Sequence, residues 1–131
     1  MKSRMLPPRQ LETMEVLWDS AKAMTAAEIV NVSDMTINTV QASLRSLTAK
    51  GYIRQADVVY SGTVLARAYV PAVSREEYVS FSFQEMMASG NEKQVIRSLM
   101  GGIDSMDALE ELEKIILQRK AELEGETDAI P

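Results

Sequence analysis

The chain has 131 residues, of which 46% are hydrophobic, a formal net charge of −5, and neither Cys nor His. That length supports one ordinary domain, or a small domain with an appendage, burying about two-thirds of the unfolded surface. Without Cys and His, disulfides are excluded and the commonest zinc and copper ligands are missing, as are the usual nucleophile and general base; neither a metal sensor nor an enzyme is expected, and no cofactor, metal or catalytic residue is assigned.

Met1–Pro8 carries two cations but no apolar run of signal-peptide length, and no later segment approaches the roughly 18 apolar residues of a membrane helix. The expectation is a cytoplasmic protein without a membrane partner. The net charge conceals a division. From Met1 to Val70 eight cations stand against six anions, leaving +2, and the remainder carries −7. Attraction to phosphate is local, screened beyond about 8 Å at physiological salt, so an acidic distal half does not veto a basic proximal face.

Pro7 and Pro8 suit the opening of a helix, and Leu11, Met14, Val16, Leu17 and Trp18 mark its core face to about Ser20 or Ala21. After a polar break, Thr25 with Glu28 three residues on forms a capping box, predicting a short helix over about Thr25 to Val32. Ser33 to Met35 then reads as a turn. The following stretch, Thr36 to Gly51, has a capping threonine, an apolar stripe of Ile37, Val40, Leu44 and Leu47 at helical spacing, and a glycine stop. Its other face carries Asn38, Thr39, Ala42, Arg45, Ser46 and Ala49: small, hydrogen-bonding and singly cationic, unlike the dense Glu/Lys pairing of a helix that only faces water.

Beyond Gly51, the β-rich runs Tyr52–Tyr60 and Val64–Val70, joined at Ser61-Gly62-Thr63, predict a hairpin. Three helices followed by a hairpin make a winged helix, whose third helix enters the major groove of DNA. Arg54 and Arg67 are then placed to straddle phosphates. Ser74 and Glu77 form a second capping box, starting a helix that Gly90 stops. On it, Val79, Phe83, Met86 and Met87 form one apolar face, with Tyr78 and Phe81 well round from it, and these six are assigned to core or dimer contacts. Val95, Ile96, Leu99 and Met100 predict a short helix ended by Gly101-Gly102. A last helix begins near Ser105 with Leu109, Leu112, Ile116 and Leu123 as its dimerisation stripe, before a frayed tail from Glu124 to Pro131.

Several segments together are similar to one family. Leu6 to Trp18 (LPPRQLETMEVLW), Thr39-Val40, Leu44, Leu47, Lys50-Gly51 and the run Val73 to Tyr78 resemble the penicillinase-repressor family, BlaI/MecI/CopY, in order along nearly the whole chain. The helix pattern alone also fits MarR-like and PadR-like winged helices. The resemblance implies a homodimeric repressor on a palindromic double-stranded operator, held together by its C-terminal helices. It also implies one of two induction routes: cleavage involving a sensor-linked protease, or metal binding at a cysteine-rich tail. Zero Cys excludes the second. Where relatives have a lysine after Thr-Val and an arginine before the second helix leucine, this chain has Gln41 and Ser46, with Arg45 one residue earlier, so base preference is expected to differ. The hairpin is also longer and more apolar, with Val58, Val59, Val64 and Leu65.

The expected architecture is mainly α with a small β-hairpin: a winged helix-turn-helix DNA-binding domain over residues 1–72 and a helical dimerisation domain over residues 73–131. The DNA-binding set is Thr36, Asn38, Thr39, Gln41, Ala42, Arg45, Ser46, Lys50, Arg54 and Arg67. A protein-interaction module built on the same scaffold without DNA binding is the competing expectation, motivated by the modest +2 and the apolar hairpin.

Overall fold

The computed structural model describes residues 3–61 and 64–128. In chain order the elements are α1 (Pro8–Asp19), β1 (Met24–Thr25), α2 (Ala26–Asn31), α3 (Ile37–Lys50), β2 (Ile53–Ser61), β3 (Val64–Pro71), α4 (Arg75–Ser89), α5 (Glu92–Gly101) and α6 (Met106–Asp128). The strands form one antiparallel sheet of order β1-β3-β2. Three helices and a hairpin, the winged helix expected from the sequence, are therefore present.

Local chemistry sets the element ends. Pro8 opens α1 at a position whose N–H has no helical partner to lose. At α2 the capping box closes both ways: the Glu28 N–H donates to Thr25 Oγ1 at 3.2 Å, and the Thr25 N–H donates to Glu28 Oε1 at 3.0 Å. Lys22 Nζ lies 3.0 Å from Glu28 Oε2, and these contacts, the Thr25 N–H bond foremost, hold the Glu28 carboxyl below its ordinary pKa. Thr25 has a second role that the sequence did not announce. Its extended backbone also ends β1, whose Met24 and Thr25 pair with Tyr69 and Ala68 of β3. Two residues are too short a run to show strand periodicity.

α3 ends as its glycine predicts. Gly51 takes φ +81°, the Gly51 N–H donates to the Thr48 carbonyl, and the Tyr52 N–H reaches back to the Leu47 carbonyl at 2.9 Å. The chain turns directly into β2, which pairs with β3 from Ile53↔Pro71 to Ser61↔Val64, with a bulge between Gln55 and Asp57. Of the predicted hairpin turn, Gly62 and Thr63 lie outside the described residues.

The core joins α1, α2, α3 and the sheet through Met14, Leu17, Ile29, Met35, Val40, Leu44, Leu47, Tyr52 and Ile53, all buried. Burying a side chain of this size contributes about 1.5–3 kcal/mol. The start of α4 belongs to this core. Tyr78 is buried, its ring 5.7 Å from Trp18 and 5.3 Å from Phe81, and its Oη accepts the Leu6 N–H at 2.9 Å. Trp18 is half-buried, and its Nε1–H donates to the Val73 carbonyl at 2.9 Å. The chain divides into compact units at Met1–Glu85 and Met86–Pro131, and these contacts hold the start of α4 within the first. Those aromatic contacts link parts of the chain too distant in sequence for a local pattern to register.

The second unit comprises the end of α4, then α5 and α6. Asn91 caps α5, accepting the Gln94 N–H, and Ser105 Oγ accepts the Ala108 N–H where α6 begins. α6 runs on to Asp128, so the stretch read as a tail from Glu124 is helical that far; residues 129–131 lie outside the described residues.

Candidate nucleic-acid interface

Everything expected of a reading helix depends on what α3 leaves uncovered. Val40, Leu44 and Leu47 are buried beneath it, while Asn38, Gln41, Ala42 and Arg45 stand exposed and Thr39 and Ser46 are half-buried. At its start, the Thr39 N–H donates to Thr36 Oγ1 at 3.2 Å, and the two hydroxyls share a bond of 3.0 Å. This cap fixes the helix entry. It also occupies the Thr39 amide, leaving the Ile37 and Asn38 N–H groups as those of the first turn beyond the cap's reach.

The wing brings one of its two arginines to this helix. Arg67 on β3, opposite Val58, borders an open concavity of about 490 Å³ together with Gln41 and Arg45 of α3. Ala26, Ala27 and Ala66 also line it, and their short side chains leave the space open. Arg54 pairs with Val70 nearer the base of the hairpin and is exposed, but it does not border this space. Lys50, at the far end of α3, donates from Nζ to Gln10 Oε1 at 2.6 Å.

Charge on the first unit is distributed unevenly. Arg9 pairs with Glu12 and Asp34, Lys22 with Glu28, and Arg75 with Asp19. Arg4 lies over the Phe81 ring at 4.0 Å. Among the described residues, Arg45, Arg54 and Arg67 have neither an ion pair nor a hydrogen bond from the guanidinium. Anions thus pair with the cations around α1 and α2, whereas the arginines of α3 and the hairpin stand, among the described residues, without an ion pair. That is a surface suited to a polyanion.

Four residues of the dimerisation set fall inside the first unit, and two of them pack against its core: Tyr78 is buried and Phe81 half-buried. On the rest of α4, Val79 and Phe83 are exposed, and Met86 and Met87 are half-buried. On α6, Leu109 and Leu112 are half-buried, whereas Ile116 and Leu123 are exposed. The sequence stripe missed Met106, Ile115 and Leu117, which are exposed to 69%, 51% and 61%. Their apolar character was plain, but they fall off the chosen spacing. Val58, Val64 and Leu65 of the hairpin are exposed as well. Among the described residues, no helix is long and apolar enough to cross a membrane.

Comparison with known proteins places this geometry. The sequence profile of the family described as Penicillinase repressor matches residues 6–118. No curated protein matches the chain by sequence. Among solved structures, a single-residue variant of Staphylococcus aureus MepR bound to an oligodeoxyribonucleotide is similar at 20% identity, with TM-score 0.50, over 90% of this chain and 80% of that one. Streptococcus pneumoniae FabT in complex with DNA is similar at 19% identity and TM-score 0.42, over 94% and 80%. The MepR likeness shows a shared fold. The profile match extends from before α1 into α6, and on that ground the chain belongs to the penicillinase repressor family of DNA-binding, winged-helix transcriptional repressors.

Proposed function

We propose that the chain acts as a homodimer that represses transcription by covering a palindromic operator. The observation that carries this reading is the meeting of Gln41, Arg45 and Arg67 around one open concavity, with both guanidiniums unpaired among the described residues. Asn38 or Gln41 pairs bidentately with adenine, and Arg45 with guanine, each discriminating by about 1–3 kcal/mol. Ala42 admits a thymine methyl. The start of α3, with Thr36 and Thr39, holds a phosphate through N–H and hydroxyl groups, Ser46 flanks Arg45, and Lys50, Arg54 and Arg67 add sequence-independent attraction to phosphates. The DNA-bound MepR variant, which has the same fold, supports double-stranded DNA as the partner.

Self-association is supported by the apolar side chains that the second unit leaves exposed, Ile96, Leu99, Met106, Ile115, Ile116, Leu117 and Leu123 among them. Two copies engage half-sites about 34 Å apart, or a multiple of that. Residues 1–72 supply the DNA-reading part and residues 73–131 the dimerising part, with Tyr78 and Phe81 bracing the junction. Release by a sensor-linked protease is the induction route compatible with a chain that has no Cys.

A mobility-shift titration against salt tests the reading: log affinity falls with log salt at a slope near −0.9 per phosphate contacted. Arg45→Ala lowers affinity for a selected duplex by about tenfold or more and for a scrambled one far less; an equal loss on both would remove the base-reading role from Arg45. The exposed Val58, Val64 and Leu65 favour a second reading, a protein-interaction module. A chain with no salt-dependent affinity for any duplex would favour that module.

A further inference from the structure

Ile37 departs from the stripe that predicted its burial. Val40, Leu44 and Leu47 are 0%, 3% and 0% exposed, whereas Ile37 is 43% exposed. It borders the concavity near the N-terminus of α2, where Ala26 and Ala27 offer only short side chains. Ile37, Gln41 and Arg45 are spaced by four, so they form one row along the side of α3, and all three border the same concavity, which Arg67 also lines.

Ile37 has no donor or acceptor in its side chain, so it serves neither a phosphate nor a base-edge hydrogen bond. In the major groove of B-DNA, the apolar group presented by the base edges is the thymine 5-methyl. Ile37 is also the first residue of α3, and recognition helices present their N-terminal residues to the bases. We infer that Ile37 is a specificity-determining residue, packing on the 5-methyl group of a thymine beside the base pair read by Gln41. This rests on the DNA-binding reading above.

The test uses the full chain and a duplex selected by it from a random library. Each thymine in turn is replaced by deoxyuridine, which lacks only the methyl group. The wild-type chain loses about fourfold in affinity, the effect of one buried methyl, at the thymine beside the base pair read by Gln41, separately from any effect at the thymine that Ala42 admits. Ile37→Ala binds the thymine and deoxyuridine duplexes equally, and Ile37→Val retains most of the preference. Methyl effects that persist undiminished at every thymine in Ile37→Ala, or none at any position in the wild type, overturn the assignment while leaving DNA binding intact. Failure of the wild-type chain to select any duplex overturns the DNA reading itself and this assignment with it. Thermal melting of each variant shows whether a loss reflects folding: equal losses on both duplexes accompanied by a lowered melting point count against a methyl contact.

Discussion

The two compact units use apolar residues in opposite ways. In Met1–Glu85, side chains from α1, α2, α3, the sheet and the start of α4 close over one another. In Met86–Pro131, no described residue is buried, and α6 alone exposes Met106, Ile115, Ile116, Leu117 and Leu123. The lesson is that similar hydrophobic content supports different structural roles. The first unit holds its own core, and the second has apolar faces that only further contacts can cover.

That contrast is open to direct attack. The largest effect is expected from Leu47→Ala, which empties a fully buried site beneath α3 and costs about 2–5 kcal/mol in urea unfolding. Leu117→Ala, measured at concentrations low enough to keep the chain monomeric, changes stability by less than about 0.5 kcal/mol. Comparable losses for the two would end the distinction. Next comes the pair Ile116→Glu and Leu117→Glu, made together. Sedimentation should show self-association weakened by tenfold or more, on the order of 1.4 kcal/mol, while melting of the first unit, followed by Trp18 fluorescence, stays unchanged. If the variant associates like the wild type, α6 is not the dimer seam.

The smallest effect sharpens the view of the first unit. Thr25→Ala removes half of the capping box and costs about 1 kcal/mol at neutral pH. Glu28 has a folded pKa below its ordinary value of 4.5, so its charged form contributes stability that is complete above that value and is lost as pH falls through the lower, folded one. Acid unfolding curves should therefore show a part of the decline below pH 4.5 that Glu28→Gln flattens. An unchanged curve in that variant would mean that other carboxylates set the acid limit.

Much of the molecule was legible because its instructions are local. The Thr25–Glu28 and Ser74–Glu77 boxes, the Thr36 cap, Pro8 and Gly51 each act within about one helical turn, and the structure forms every one of them. The polar face of α3 followed from helical periodicity and residue chemistry, and the hairpin after it from β-rich runs around a turn segment; together they outlined a DNA reader. Other features required the chain to be folded. Nothing near Ile37 in sequence says that alanines, with too little bulk to cover it, will be its neighbours from α2. Nothing near Tyr78 says that Leu6 and Trp18 will receive it, or that a compact unit will extend to Glu85. Nor does the spacing of Arg54 and Arg67 reveal which one will border the concavity beside Gln41 and Arg45. By itself the sequence determined where helices begin and, α6 apart, where they end, since capping and periodicity depend on neighbours three or four residues away. Tertiary structure alone decided which apolar residues are covered and which cations stand unopposed, since burial and pairing depend on side chains that distant elements bring together.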